Sequence, residues 1–160
     1  MYNKRIVTMF LILGLLAVLT TTAYATSNYH PAAPALVGTW NTILPHSEGN
    51  PRFPTFEAML TFTADGNMIE TNSNNPTQTV PAHGVWIGSG SNYLMMFEGF
   101  SFDEHGKHIG KVQAHVTIKM DSTDHFTGTY TLDLIDLAGK VTKKVAYGTL
   151  ESTRMEVELP

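Results

Sequence analysis

The chain has 160 residues, 42% of them hydrophobic, no cysteine and a formal charge of −4. That is enough for one domain with a core of its own, and it excludes a fold held by disulfides. No basic run of the kind that grips phosphate backbones is present, so neither nucleic acid nor an anionic membrane surface is an expected partner.

The first element in chain order is an export signal. Lys4 and Arg5 form a short positive head, residues 6–19 are apolar apart from Thr8 and Gly14, and Ala23-Tyr24-Ala25 is a small-x-small cleavage site. The apolar run is shorter than the roughly 20 residues a membrane-spanning helix needs. The expectation is cleavage after residue 25, with export to the periplasm or beyond the cell and no membrane span left in the mature chain. Cleavage removes two of ten basic residues and none of fourteen acidic ones, leaving a charge of −6. Residues 26–35, with His30-Pro31 and Pro34, read as a flexible leader to a folded domain at 36–160.

From there turn signals recur at short intervals: Ala64-Asp65-Gly66, Gly88-Ser89-Gly90-Ser91, Asp103-Glu104-His105-Gly106, Asp121-Ser122-Thr123-Asp124 and Leu137-Ala138-Gly139. The segments between them alternate with period two. Phe56, Ala58, Leu60 and Phe62 alternate with Glu57, Met59, Thr61 and Thr63. Val112, Ala114, Val116, Ile118 and Met120 alternate with polar residues, as do Phe126, Gly128, Tyr130 and Leu132. Such alternation means one buried face and one wet face. The pattern predicts eight strands near 36–42, 55–63, 67–72, 83–88, 91–102, 110–120, 125–136 and 141–154. The predicted fold class is all-β, an eight-stranded antiparallel up-and-down barrel, because closure removes exposed edges.

Gly38-Thr39-Trp40 opens the first strand and Arg154 ends the last. This pairing resembles the calycin pattern of lipocalins, fatty-acid-binding proteins and avidin-like barrels. The resemblance implies that Trp40 packs under the barrel floor against Arg154, both in structural roles. The second and third lipocalin motifs are not evident. Leu60-Thr61-Phe62-Thr63-Ala64-Asp65-Gly66 and His83-Gly84-Val85-Trp86 are similar to uncharacterised bacterial exported lipocalin-like domains, which implies a fold and no activity. Strand number and chain length also resemble allene oxide cyclase and dirigent-like barrels, some of which guide cyclisation or coupling without a cofactor.

In an up-and-down barrel, the connections after strands one, three, five and seven share one end. The two longest connections, at 43–54 and 73–82, are among them, so a binding mouth is expected there. His46, His83, His105 and His108 fall at that end by the same count. His105-x-x-His108 beside Asp103 has metal-like spacing but no third ligand, so no metal site is expected. His46, His83 and His105 are expected to cluster at that mouth, opposite Trp40 and Arg154.

Methionines and aromatics crowd the strands, and methionine adapts to varied apolar partners. Met59, Met95, Phe97 and Tyr130, with His83 above them, are the expected ligand contacts. His83 and Glu98 are the expected acid–base groups if the cavity is catalytic, Glu98 as a buried carboxylate or else as a solvent-facing charge. The fifth strand from Tyr93 to Phe102 is apolar on both faces apart from Glu98 and Ser101, which suggests an outer face that meets something, such as another subunit. The leading expectation is an exported barrel that binds a small hydrophobic or amphipathic molecule without a cofactor. The alternatives are a cofactor-independent isomerase or cyclase and a non-enzymatic interaction module.

Overall fold

Alternating side chains put apolar groups on one face of each strand, and eight such strands bury that face by curling into a tube. The computed structural model describes residues 35–45, 54–73 and 80–157. The expected signal peptide, most of the leader and the site residue His46 lie outside them.

The strands are β1 (Gly38–Leu44), β2 (Phe56–Phe62), β3 (Asn67–Asn72), β4 (Ala82–Ser89), β5 (Asn92–Phe102), β6 (His108–Met120), β7 (His125–Asp136) and β8 (Val141–Arg154). Each pairs antiparallel with the next, and β8 returns to β1 through Trp40 opposite Arg154, closing the barrel. All eight fall within two residues of the predicted positions. β1 lies two residues later at both ends, and β6 starts two residues earlier, at His108, because a bulge between Ser101 and Phe102 lets pairing continue past Gly110.

One end is filled. Trp40, Phe62, Met68, Trp86, Tyr93 and Phe126 converge there, and Trp40 and Phe126 have no exposed surface. The rings meet edge to face, Trp40 to Phe126 at 4.7 Å between centroids and Trp86 to Tyr93 at 5.6 Å. Each such pair contributes about 0.5–1.5 kcal/mol beyond area burial. Every polar tip in this plug has a backbone partner. The Trp40 indole donates to the Leu36 carbonyl, that of Trp86 to the carbonyls of Thr63 and Asn67, and the Tyr93 hydroxyl to Gly90.

Arg154 closes the floor from outside. Its guanidinium carbon lies 4.2 Å from the Trp40 ring centroid, and its nitrogens donate to the carbonyls of Ala35, Val37 and Thr123. Gly38 makes room for it: a Cβ there would overlap Arg154 Nη1, and its φ of 140° disfavours any side chain.

Candidate functional site

Above the plug the barrel is hollow. Strand direction places the connections after β1, β3, β5 and β7 at the end opposite Trp40 and Arg154. A cavity of about 470 Å³ runs from mid-barrel to that end. Leu60, Met95, Val116 and Leu150 form its base, and Phe97, Leu132 and Phe56 its walls. At the rim Phe100, Ile109 and Leu134 are exposed. The volume is within the roughly 300–1,000 Å³ of small-molecule pockets.

Small residues account for the space. Across β5, β6 and β7 the inward row is Phe97, Ala114, Leu132, so a fully buried alanine sits between two large side chains. Gly99 faces Ala82 across the wall with no side chain of its own. Tyr130 lies across Gly148, its partner on β8, where a Cβ would press on the phenol ring at 3.1–3.3 Å. The glycine thus lets the ring lie against the wall, beside the cavity.

Few polar groups reach the interior. Thr42 and Ser152 are buried and share a hydrogen bond of 2.8 Å across β1 and β8. The notable group is Glu70, which is 5% exposed and lines the cavity. Its Oε1 accepts a hydrogen bond of 2.7 Å from Asn72 Nδ2. Burial pushes its carboxyl above the ordinary value, and the Asn72 bond offsets part of that. Among the described residues Oε2 has no hydrogen-bond partner, yet no side-chain nitrogen or oxygen there is sealed away unpaired. Oε2 therefore opens onto the cavity.

No protein-family model, curated protein or solved structure matches the chain.

Of the expected ligand contacts, Met95, Phe97 and Tyr130 line the cavity. Met59 does not. It is half exposed on the outer face, where its alternation with Ala58 and Leu60 puts it. His83 also faces out. Ala82 and Trp86 of the same strand point inward, and three residues is an odd spacing, so His83 and Trp86 take opposite faces. Glu98 follows the outer parity of Met96 and Phe100, opposite His83 on β4. It accepts from Lys111 Nζ at 3.0 Å and Gln113 Nε2 at 2.8 Å. Its pKa is lowered, first by the Lys111 bond, the reverse of the buried-carboxylate expectation.

The expected histidine cluster does not form among the described residues. His83 and His105 belong to the same end, but β5 runs on past Glu98, putting the His105 turn roughly 16 Å beyond His83. His108 bonds the Gly110 carbonyl and packs against Phe100 and Phe102. No group of three or more potential metal ligands occurs among the described residues.

Sequence reasoning missed Glu70 because Met68 and Ile69 are both apolar, leaving the parity of β3 open. The hairpin register decides it. Phe62 pairs with Met68, so inward Phe62 brings Met68, Glu70 and Asn72 inward with it.

The outer wall carries an apolar patch. Val85 pairs with Met96 and Ile87 with Leu94, all four exposed, and Ile69 lies on the same face. His115, Thr117 and Thr129 border the hollow over these strands.

Proposed function

We propose that this protein is an exported, lipocalin-like barrel that binds a small hydrophobic or amphipathic molecule in its interior. The cavity carries this reading: about 470 Å³ of mostly apolar space above an aromatic plug, reaching the end that bears the long connections. Preformed apolar pockets with few polar groups are the usual form of small-molecule sites. The G-x-W and Arg154 pair supports the kinship with calycins through its geometry. The composition of residues 1–25 supports export to the periplasm or beyond the cell.

The test is displacement of a neutral apolar dye, N-phenylnaphthylamine, by lipids, terpenoids and aromatic compounds, with thermal stabilisation as a second readout. An Ala114→Phe variant fills the gap between Phe97 and Leu132 and should lose binding while keeping its fold. Leu132→Trp serves the same purpose if that variant does not fold. A wild-type protein that takes up neither the dye nor any compound rules the reading out.

A second reading has one observation in its favour. Glu70 is an ionisable group facing a mostly apolar cavity, the setting in which a carboxyl moves protons. A cofactor-independent isomerase of the allene oxide cyclase or dirigent-like type would use Glu70 rather than His83 or Glu98. Substrate turnover lost in Glu70→Gln distinguishes it from a carrier.

The outer patch of Val85, Ile87, Leu94 and Met96 supports pairing with a second copy of the chain, independently of what the cavity holds.

A further inference from the structure

We infer that the cavity selects hydrophobic amines, molecules with an apolar body and an ammonium group that meets Glu70 Oε2. This rests on the reading of the barrel as a small-molecule carrier.

Glu70 is the one acid on the described lining, and no strand turns a lysine, arginine or histidine inward to face it. Leu60 on β2 and Ala82 on β4 flank it across the ladder, and the phenol of Tyr130 is the other titratable group on the wall. Lys111, Lys119, His115 and Lys143 all lie on the outer surface. A buried carboxylate without a counter-charge is costly, and the Asn72 amide satisfies only Oε1. A cationic ligand supplies the counter-charge that the described lining lacks, through a charge-assisted hydrogen bond at Oε2. An anionic ligand, such as a fatty acid, meets like charge and finds no cation on the described lining. The mostly apolar remainder of the cavity takes the hydrocarbon body.

Three probes of one chain length separate the cases: decylamine, decanol and decanoate, each displacing N-phenylnaphthylamine from the full mature chain at neutral pH. Decylamine should bind about tenfold tighter than decanol, with decanoate weakest. Glu70→Gln should bring decylamine down to the level of decanol measured in the same variant. Decylamine affinity should rise with pH until Glu70 is fully ionised above its raised folded value, and Glu70→Gln should lose that rise. Equal binding of all three, tighter binding of decanoate, or an unchanged amine preference in Glu70→Gln overturns the inference, while decanol displacement keeps the carrier reading. A protein that binds neither the dye nor any probe overturns both. If the variant does not fold, the ranking and pH dependence of the wild-type protein decide.

Discussion

Arg154 stacks on Trp40, its guanidinium carbon 4.2 Å from the ring centroid, and so joins the last strand to the first across the closed end of the barrel. The contact combines a cation–π interaction with bonds to three backbone carbonyls, two of them in the segment that leads into β1. Arg154→Ala should cost about 2 kcal/mol in urea unfolding followed by tryptophan fluorescence. Arg154→Lys should recover less than half of that, because a single ammonium cannot reach all three carbonyls while stacking. Gly38→Ala should cost at least about 1 kcal/mol, through backbone strain and the displaced guanidinium. Unchanged stability in all three variants would mean that the floor is held by the aromatic plug alone.

Glu70 makes the stability of the empty protein depend on pH. Its folded pKa is raised above its unfolded value, so the folded state holds more protons there and stability falls as pH rises. The window begins near the ordinary value of 4.5 and ends at the raised folded value. Glu70→Gln should remove this component. The variant should be more stable than wild type at pH 7, and the two curves should converge at pH 4. A variant less stable than wild type at pH 7 would show that the carboxylate has a counter-charge.

Asp133 stands on the outer face where β8 bulges between Thr142 and Ala146. Its side chain is 5% exposed. Lys143 Nζ bonds Oδ2 at 2.7 Å, and the backbone N–H of Lys144, at a φ of 52°, bonds Oδ1 at 2.8 Å. These contacts, the Lys143 bond foremost, lower the Asp133 pKa. Asp133→Ala leaves the Lys144 N–H unpaired in a disfavoured conformation and should cost about 1–2 kcal/mol at pH 7. The sign is opposite to that of Glu70. The contribution of Asp133 is present above its ordinary value of 3.8 and fades as pH falls through its lowered folded value. Urea unfolding of both proteins at pH 7 and pH 3 should show the difference narrowing in acid.

The Val85, Ile87, Leu94 and Met96 patch bears on oligomeric state. Light scattering after size exclusion should give a dimer that dissociates in Ile87→Thr combined with Leu94→Thr, with the barrel unchanged by circular dichroism. A wild-type monomer at about 100 μM would leave the patch as plain surface, the state of most scattered apolar residues.

Alternation is a local property, and it was legible wherever one face of a strand is plainly apolar. Phe56, Ala58, Leu60 and Phe62 inward with Met59 outward could be read from period two alone. Met59 stands outside by that period, whatever its residue type suggests. The same rule, applied to the odd spacing of His83 from Trp86 and the even spacing of Glu98 from Met96, would have set both histidine and glutamate outside. Residue chemistry suggested a site at each, but the pleat decides the face before chemistry acts.

What the amino-acid order determined by itself was the number of strands, their bounds, the one-end gathering of the long connections, and the meeting of Trp40 with Arg154. The first three follow from turn residues, period two and strand parity, which depend on near neighbours and on counting; the meeting of Trp40 with Arg154 is what the calycin resemblance implies. Only the tertiary structure decided that the barrel is hollow above its plug and that Glu70 faces the hollow. A cavity depends on which side chains meet across the tube, as Ala114 does between Phe97 and Leu132, and those partners come from three different strands. The face of Glu70 depends on the register of a hairpin whose strand has apolar residues on both sides. Neither the meeting across the barrel nor the register is written in a single stretch of chain.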